Sequence, residues 1–351
     1  MDVKIYSLFS GSSGNCTWFK IGDLQFLVDA GGSCKAINEA LKSLSSSLDE
    51  ISHIFVTHEH SDHVKGLPVI CRRYKPTVHI HKDSFKSSAA LCEALDPELV
   101  DFFDREIHDL ELTPGVKISS VATSHDSRHS CAYVVECFGR IFAVATDMGY
   151  VSRGLAERLT GAHSLILESN YDEEMLKNGP YPDYLKYRIA SERGHLDNRV
   201  SARFAAYLAM NGTSNIVLGH LSEENNSPNT AVATLEAHFK ELGIDYFCDN
   251  EEFFHKTVEK SVEKVDNSTT HCVKSVATVE NSLEKSVEKD ETVVEKLEKS
   301  VENPPKTAIL AAKPVENSED GEICAKGEKN ASVRVAVAAR YSPTLIFEGS
   351  I

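Results

Sequence analysis

The sequence has no C-x-x-C pair, a single tryptophan and no apolar run long enough to cross a bilayer. Its nine cysteines are scattered singly and are odd in number. No basic segment followed by an apolar run opens the chain; Met1 to Phe9 alternate as a short strand instead. These absences predict reduced thiols in a cytoplasmic protein, most of them small apolar packing residues, and no membrane role. Positive charge is also short. The 351 residues carry 37 Lys and Arg against 53 Asp and Glu, a formal net charge of -16. A broad basic face that displaces counterions from nucleic acid is therefore excluded, and any nucleic-acid role needs a local groove or bound metal ions.

What is present is ample material for a core, with 41% hydrophobic residues. Up to about Cys248, short β-rich runs alternate with helical patterns. Strands are predicted at Val3 to Phe9, Thr17 to Ile21, Leu24 to Asp29, Ile54 to Val56, Thr77 to Ile80, Val116 to Ala122, Ala132 to Cys137, Arg140 to Ala145, Ser164 to Leu167, Ile216 to Leu218 and Ile244 to Cys248, with Gly22-Asp23 as a hairpin turn. Helices are predicted at Ser33 to Leu44, Val64 to Tyr74, Arg199 to Met210 and Asn229 to Leu242. Blocks of strands, each closed by strand-helix alternation, predict an α/β fold of two mixed sheets face to face with helices outside.

After His255 the composition turns to Val-Glu-Lys-Ser repeats, with no aromatic residue until Tyr341. Such a segment buries too little apolar surface to offset the entropy of ordering. The domain is therefore expected to span residues 1–254, and residues 255–351 to be a disordered tail, dispensable for stability and available to recruit an unidentified protein partner. A β-prone stretch within it, Ser332 to Phe347, could clip onto an edge strand.

The strongest signal is Thr57-His58-Glu59-His60-Ser61-Asp62-His63, which places three imidazoles and Asp62 within six residues directly after an apolar strand. His58 and His60, two apart on extended backbone, point to one side, and a turn at Ser61 swings Asp62 and His63 toward a neighbouring position. One ion could not readily take all four; two adjacent divalent ions could. Imidazole with carboxylate suits zinc, manganese or iron, in that order. Further ligand types stand where apolar strands end: His125, Asp147 and His220.

With Asp29, these residues match the five motifs of the metallo-β-lactamase superfamily, which the chain resembles over residues 1 to about 254. The resemblance implies an αββα four-layer sandwich. One metal would take His58, His60 and His125, and the other Asp62, His63 and His220. Asp147 would bridge the two, and Asp29 would hold the ligand loop from behind. Within that superfamily the chain is most similar to the YycJ/WalJ family of bacterial nucleases acting on DNA ends. The shared segments are Ser10-Gly11-Ser12-Ser13-Gly14-Asn15-Cys16, Glu168-Ser169-Asn170-Tyr171-Asp172, Gly179-Pro180-Tyr181-Pro182 with Leu185-Lys186, Gly194-His195-Leu196, and His220-Leu221-Ser222 leading to Asn225-Asn226. Departures are Asp197, in a spot usually held by Ser, and His129-Ser130, in a loop that normally bears Pro.

The residues themselves suggest a matching chemistry. Glu168 ends the run Ser164 to Leu167 and His195 precedes the helix from Arg199, so both are expected on the rim that carries the ligands. A carboxylate beside an imidazole raises its basicity and suits it to protonate a leaving alkoxide. Lys65, Lys186, Arg188, Asn225 and Asn226 are the candidates for binding substrate, and Gly11 to Asn15 is expected to approach the metal cleft. The expected function is a dinuclear metal-dependent phosphodiesterase working through a metal-bridging hydroxide that Asp62 orients, and the resemblance implies a 5′ to 3′ exonuclease acting on DNA. Two alternatives stand beside it: a hydrolase of a small ester, thioester or lactone, and a metal-stabilised regulatory or scaffold protein.

Overall fold

The computed structural model describes residues 1–249, 332–340 and 342–351. They belong to one compact unit, residues 1–257 with 329–351. Residues 258–328 make up a second unit, which lies outside the described residues, as does most of the expected tail.

The strands in chain order are β1 (Asp2–Phe9), β2 (Cys16–Ile21), β3 (Leu24–Val28), β4 (His53–Phe55), β5 (Thr77–His81), β6 (Val100–Phe103), β7 (Ile107–Thr113), β8 (Val116–Thr123), β9 (Ser130–Cys137), β10 (Arg140–Ala145), β11 (Ser164–Glu168), β12 (Asn215–Gly219), β13 (Tyr246–Cys248), β14 (Val333–Val337) and β15 (Thr344–Ser350). The helices are α1 (Cys34–Ser43), α2 (Ser61–Val64), α3 (Leu67–Tyr74), α4 (Lys82–Ser87), α5 (Ala89–Ala94), α6 (Arg153–Leu159), α7 (Glu173–Asn178), α8 (Asp183–Ile189), α9 (Asn198–Met210) and α10 (Pro228–Glu241). One sheet runs β15-β1-β2-β3-β4-β5-β6 and the other β13-β14-β12-β11-β10-β9-β8-β7. Among the described residues no helix is long and apolar enough to cross a membrane.

Three apolar clusters separate four layers, because each strand sends alternate side chains to opposite faces. Phe19, Phe26, Phe55, Tyr133, Phe142 and Val144 fill the space between the sheets. Trp18, Leu27, Ile54 and Ile80 meet Ile37 and Leu41 of α1 and Ile70 of α3 on the far side of the first sheet. Leu165, Leu167, Ile216 and Leu218 meet Leu155, Ala205, Leu235 and Phe239 of α6, α9 and α10 on the far side of the second. Cys16, Cys34, Cys71, Cys131 and Cys137 are buried within these clusters.

The boundary at residue 254 is corrected by the last twenty residues. β14 is no edge strand: it lies between β12 and β13, parallel to both, with Ile216 opposite Val335 and Phe247 opposite Arg334. Val333, Val335 and Val337 enter the helix-side core, and Ala336 and Ala338 enter the space between the sheets. β15 pairs antiparallel with β1, Ile5 opposite Phe347, and the Lys4 ammonium lies 2.8 Å from Glu348. Two strands and part of two cores come from the segment after His255, which runs against the expectation that it is dispensable.

The predicted helix at Val64 to Tyr74 is two helices. Gly66 interrupts it, packed so closely on the backbone of Gly32 that a Cβ there would lie 2.3 Å from that carbonyl oxygen.

Candidate metal centre

The directions of the strands bring the candidate residues to one end of the sandwich. β3 and β4 are parallel, so Asp29 and the Thr57 to His63 loop leave the first sheet together. In the second sheet β8 and β10 flank β9 antiparallel, and β10, β11 and β12 are parallel, so His125, Asp147, Glu168 and His220 all emerge from carboxyl ends at one edge. Asp29, Asp147 and His220 sit in the left-handed region, with φ of 64°, 60° and 55°. Sharp left-handed turns just past the strand ends aim these side chains across the cleft, a conformation that Asp and His tolerate better than most residues.

The ligand atoms form two trios. His58, His60 and His125 make one, and Asp62, His63 and His220 the other, each with ligand atoms within 4.8 Å of one another. Asp147 touches both. Its Oδ1 lies 3.6 Å from Nε2 of His125 and of His220, and its Oδ2 lies 3.4 Å from His63 Nε2. Nε2 of His58, Nε2 of His220 and Oδ2 of Asp147 are buried and have no hydrogen-bond partner. Buried polar atoms without partners, converging in this way, are what a cation-binding donor set requires.

Three of the imidazoles are held from behind. Asp29 Oδ2 lies 2.8 Å from His63 Nδ1, and the other oxygen of Asp29 accepts the Thr57 amide at 2.8 Å. The Gly194 carbonyl accepts from His125 Nδ1 at 3.0 Å. Glu168 Oε1 faces Nδ1 of His220 at 3.0 Å and Nδ1 of His195 at 2.7 Å. Engaging Nδ1 leaves Nε2 free to ligate. Glu168 also belongs, with Asp147, His195 and His220, to a fourth cluster of ligand types. Its Oε1 is already shared by two imidazole N–H groups and its Oε2 accepts the Met148 amide at 2.8 Å, so its role is to orient rather than to ligate.

Charge balance favours cations. Burial pulls His220 down, but Asp147 above all, with Asp62 and Glu168, pushes it up to about 10. Burial likewise lowers His63, and Asp29, Asp147 and Asp62 raise it well above the usual range. Burial, and His63 next, keep His58 well below the usual range and so neutral. Without ions, protons on His63 and His220 answer the carboxylates. Raised values mean that a metal must displace these protons at neutral pH, so apparent affinity should increase with pH. Titrating zinc into chelator-stripped protein at pH 7, in buffers of different ionisation heat, should show release of about one to two protons per site pair. Zero release would contradict the protonated state.

Residues 10–220 match the family model of the metallo-beta-lactamase superfamily. The chain belongs to that superfamily. It is 34% identical over 244 residues to exodeoxyribonuclease YycJ of Bacillus anthracis, covering 70% of this chain and 92% of the relative. It is 32% identical over 250 residues to exodeoxyribonuclease WalJ of Streptococcus pneumoniae serotype 2, strain D39 / NCTC 7466, covering 69% and 92%. The metallo-beta-lactamase fold protein YhfI from Bacillus subtilis shares the fold, with a TM-score of 0.53 at 16% identity, covering 68% of this chain and 94% of that one. As a member of this superfamily the chain is a metal-dependent hydrolase.

The expected substrate contacts divide. Lys65 is exposed after α2, three residues beyond Asp62. Arg188 pairs with Asp126, the residue after His125. Lys186 turns instead to the Lys177 carbonyl at 2.8 Å. Asn225 and Asn226 do not face the cleft, and that expectation is corrected. Both are buried; Asn226 binds the carbonyls of Ser169 and Asn170 and the side chain of Asn198, and Asn225 bonds to Ser222. Buried side chains of this kind, with Asn226 bonded throughout to the fold, are shielded from a phosphate in the cleft.

Glu168 is likewise beneath the rim rather than on it, at 0% exposure. Asn15 does approach the cleft, with Nδ2 3.3 Å from Asp62 Oδ2. Thr57, Gly194 and Asn170 are supports that sequence reasoning missed; Asn170 Nδ2 donates to the His220 carbonyl at 2.7 Å. Only Asn170 and Gly194 carried a signal, as members of the shared segments. Asp197 caps α9 by accepting the amides of Arg199 and Val200, a task Ser performs equally well. His129 stacks on His81 with ring centroids 3.5 Å apart.

Because the Asp147 carboxylate faces histidines of both trios, Asp147→Ala is expected to retain less metal than any single histidine variant. Elemental analysis finding two full equivalents in it would defeat the shared-carboxylate assignment.

Proposed function

We propose that the chain is a dinuclear phosphodiesterase that degrades DNA from its ends in the 5′ to 3′ direction. The observation that carries this reading is the pair His195 and Glu168 beside two complete ligand trios. Its support from relatives is that proteins sharing a third of their residues with this chain bear the name exodeoxyribonuclease. His58, His60 and His125 would hold one divalent ion and Asp62, His63 and His220 the other, with Asp147 between them; the donors suit zinc or manganese, and iron less well. Such ions supply Lewis acidity, which lowers the pKa of water and neutralises phosphate charge.

The protein's own groups do the rest. Asp62, 21% exposed at its side chain, reaches the cleft and can orient the attacking oxygen. His195, 20% exposed, gives its Nδ1 to Glu168 and keeps Nε2 for substrate. There it would donate a proton to the departing 3′ oxygen. Glu168 is fully buried. Burial raises its carboxyl, but His195 foremost holds it below the usual range, so it stays charged and stabilises the imidazolium.

The test uses the full chain stripped of metal and reloaded with manganese or zinc, on duplexes labelled at either the 5′ or the 3′ end. Release of label from 5′ ends first is expected, with turnover of bis-p-nitrophenyl phosphate above that of p-nitrophenyl acetate. Turnover of the acetate alone would replace this reading with a small-ester hydrolase.

A further inference from the structure

The most exposed large apolar side chains among the described residues are Tyr187 at 81% and Tyr184 at 75%. Both lie on α8, three residues apart and so on one face of the helix. Arg188, four residues after Tyr184, shares that face. Neither tyrosine has a ring contact, and neither hydroxyl has a hydrogen-bond partner, among the described residues. Nothing in the fold accounts for two adjacent rings left in water, where they forgo the burial that aromatic side chains ordinarily gain.

The position of α8 is fixed by the centre itself. Arg188 pairs with Asp126, whose Oδ1 lies 3.3 Å from Nε2 of His125. The Ile189 carbonyl accepts the His195 amide at 2.9 Å, and a Cβ at Gly194 would come within 2.0 Å of that same oxygen. The helix end therefore abuts both a ligand histidine and the proposed proton donor. With a rise of about 1.5 Å per residue, Tyr184 stands about 6 Å farther out along the axis than Arg188. The rings thus stand within about one and a half turns of the helix end that abuts the centre.

Charge changes sign here as well. Between Lys177 and Arg203 there are six Lys and Arg against three Asp and Glu, in a chain whose net charge is -16; Lys177, Arg188 and Arg199 pair with Glu174, Asp126 and Glu173, which leaves Lys186, Arg193 and Arg203 without a carboxylate partner among the described residues. Aromatic faces interleaved with cations beside a phosphodiester site have the composition of a single-strand platform: rings stack on bases of any sequence, and cations track the backbone. A protein partner would be served by an apolar patch without this basic surplus.

We propose that Tyr184 and Tyr187 form a stacking platform for unpaired bases of a DNA strand entering the metal centre. The inference rests on the phosphodiesterase reading and adds that the substrate is engaged as a single strand next to the scissile phosphate.

The experiment compares the metal-loaded full chain with Tyr184→Ala/Tyr187→Ala and Tyr184→Phe/Tyr187→Phe on a single-stranded oligothymidylate and on bis-p-nitrophenyl phosphate. The alanine pair should raise KM for the oligomer about tenfold or more, the scale of losing one to two stacked bases. Its preference for oligomer over small diester should fall by the same factor. The phenylalanine pair should stay near wild type, because stacking needs the ring and not the hydroxyl. Wild-type protein that neither cleaves nor binds the oligomer would overturn the nuclease reading and the platform together. Wild-type cleavage with an alanine pair of unchanged KM, or a phenylalanine pair as impaired as alanine, would overturn the platform alone.

Discussion

A chain ended after His255 is expected to lose its cooperative thermal transition or to be recovered only as aggregate. The loss removes β14 from inside the second sheet and β15 from the edge of the first. Val333, Val335, Val337 and Ile346, all buried, leave the core with them. At about 1.5 to 3 kcal/mol for each such side chain, the gross loss is about 6 to 12 kcal/mol. That matches the whole stability of an ordinary domain, about 5 to 15 kcal/mol. The outer edge of β12 would also be stripped of its partner, presenting open backbone groups to other chains. In the full-length protein Val335→Asp should cause much of the same damage by placing a charge among apolar side chains. A truncated protein that still melts within a few degrees of the intact one would show that β14 and β15 add little to the domain.

Replacing His195 by alanine should leave both metal ions bound yet slow DNA hydrolysis by about two to four orders of magnitude, the usual scale for a general acid. His220→Ala should instead lose metal. The two residues invite confusion, since each follows a glycine and precedes a leucine. Their geometry separates them: His220 is 3% exposed at its side chain with Nε2 3.7 Å from Asp62 and 3.6 Å from Asp147, whereas His195 meets the centre from the rim. A substrate that leaves as p-nitrophenolate needs no proton and should recover much of the rate of His195→Ala. Absence of that rescue, or a metal-poor His195→Ala, would mean the roles have been exchanged. Glu168→Gln should disturb both assays at once, because one oxygen serves both imidazoles.

The candidate ligands that the fold brings together could be picked out in the sequence because each stands where an apolar run stops, and ligand-type residues clustered at such places are rare. Of the supports, Asp29 was legible, but the roles of those that act through the main chain were not. Gly194 holds His125 through its carbonyl, and a main-chain acceptor leaves no trace in residue type. Asn225 and Asn226 misled for a related reason: polar side chains that brace loops look, in sequence, like polar side chains that meet substrate. β7 was missed because Ile107–Thr113 alternates exposed with half-buried residues at an edge. β14 does alternate, Val333, Val335 and Val337 around Arg334 and Ala336, but the charged repeats before it set the composition of the whole segment. Its partners, β12 and β13, lie some eighty residues or more upstream, and no local pattern announces a pairing over that span.

The left-handed backbone at Asp29, Asp147 and His220 limits how this centre can diverge. At these three places a new side chain must satisfy the main chain as well as its part in the centre. Asn, Asp, His and Gly adopt positive φ with little penalty, whereas β-branched and bulky residues do so only with strain. Exchange of Asp147 for a longer carboxylate, or of His220 for a thiolate to suit a softer metal, therefore meets resistance from the turn before coordination is even at issue. Metal preference in such a scaffold is easier to retune from behind, through Asp29, Glu168 and the Gly194 carbonyl, than by replacing the ligands themselves.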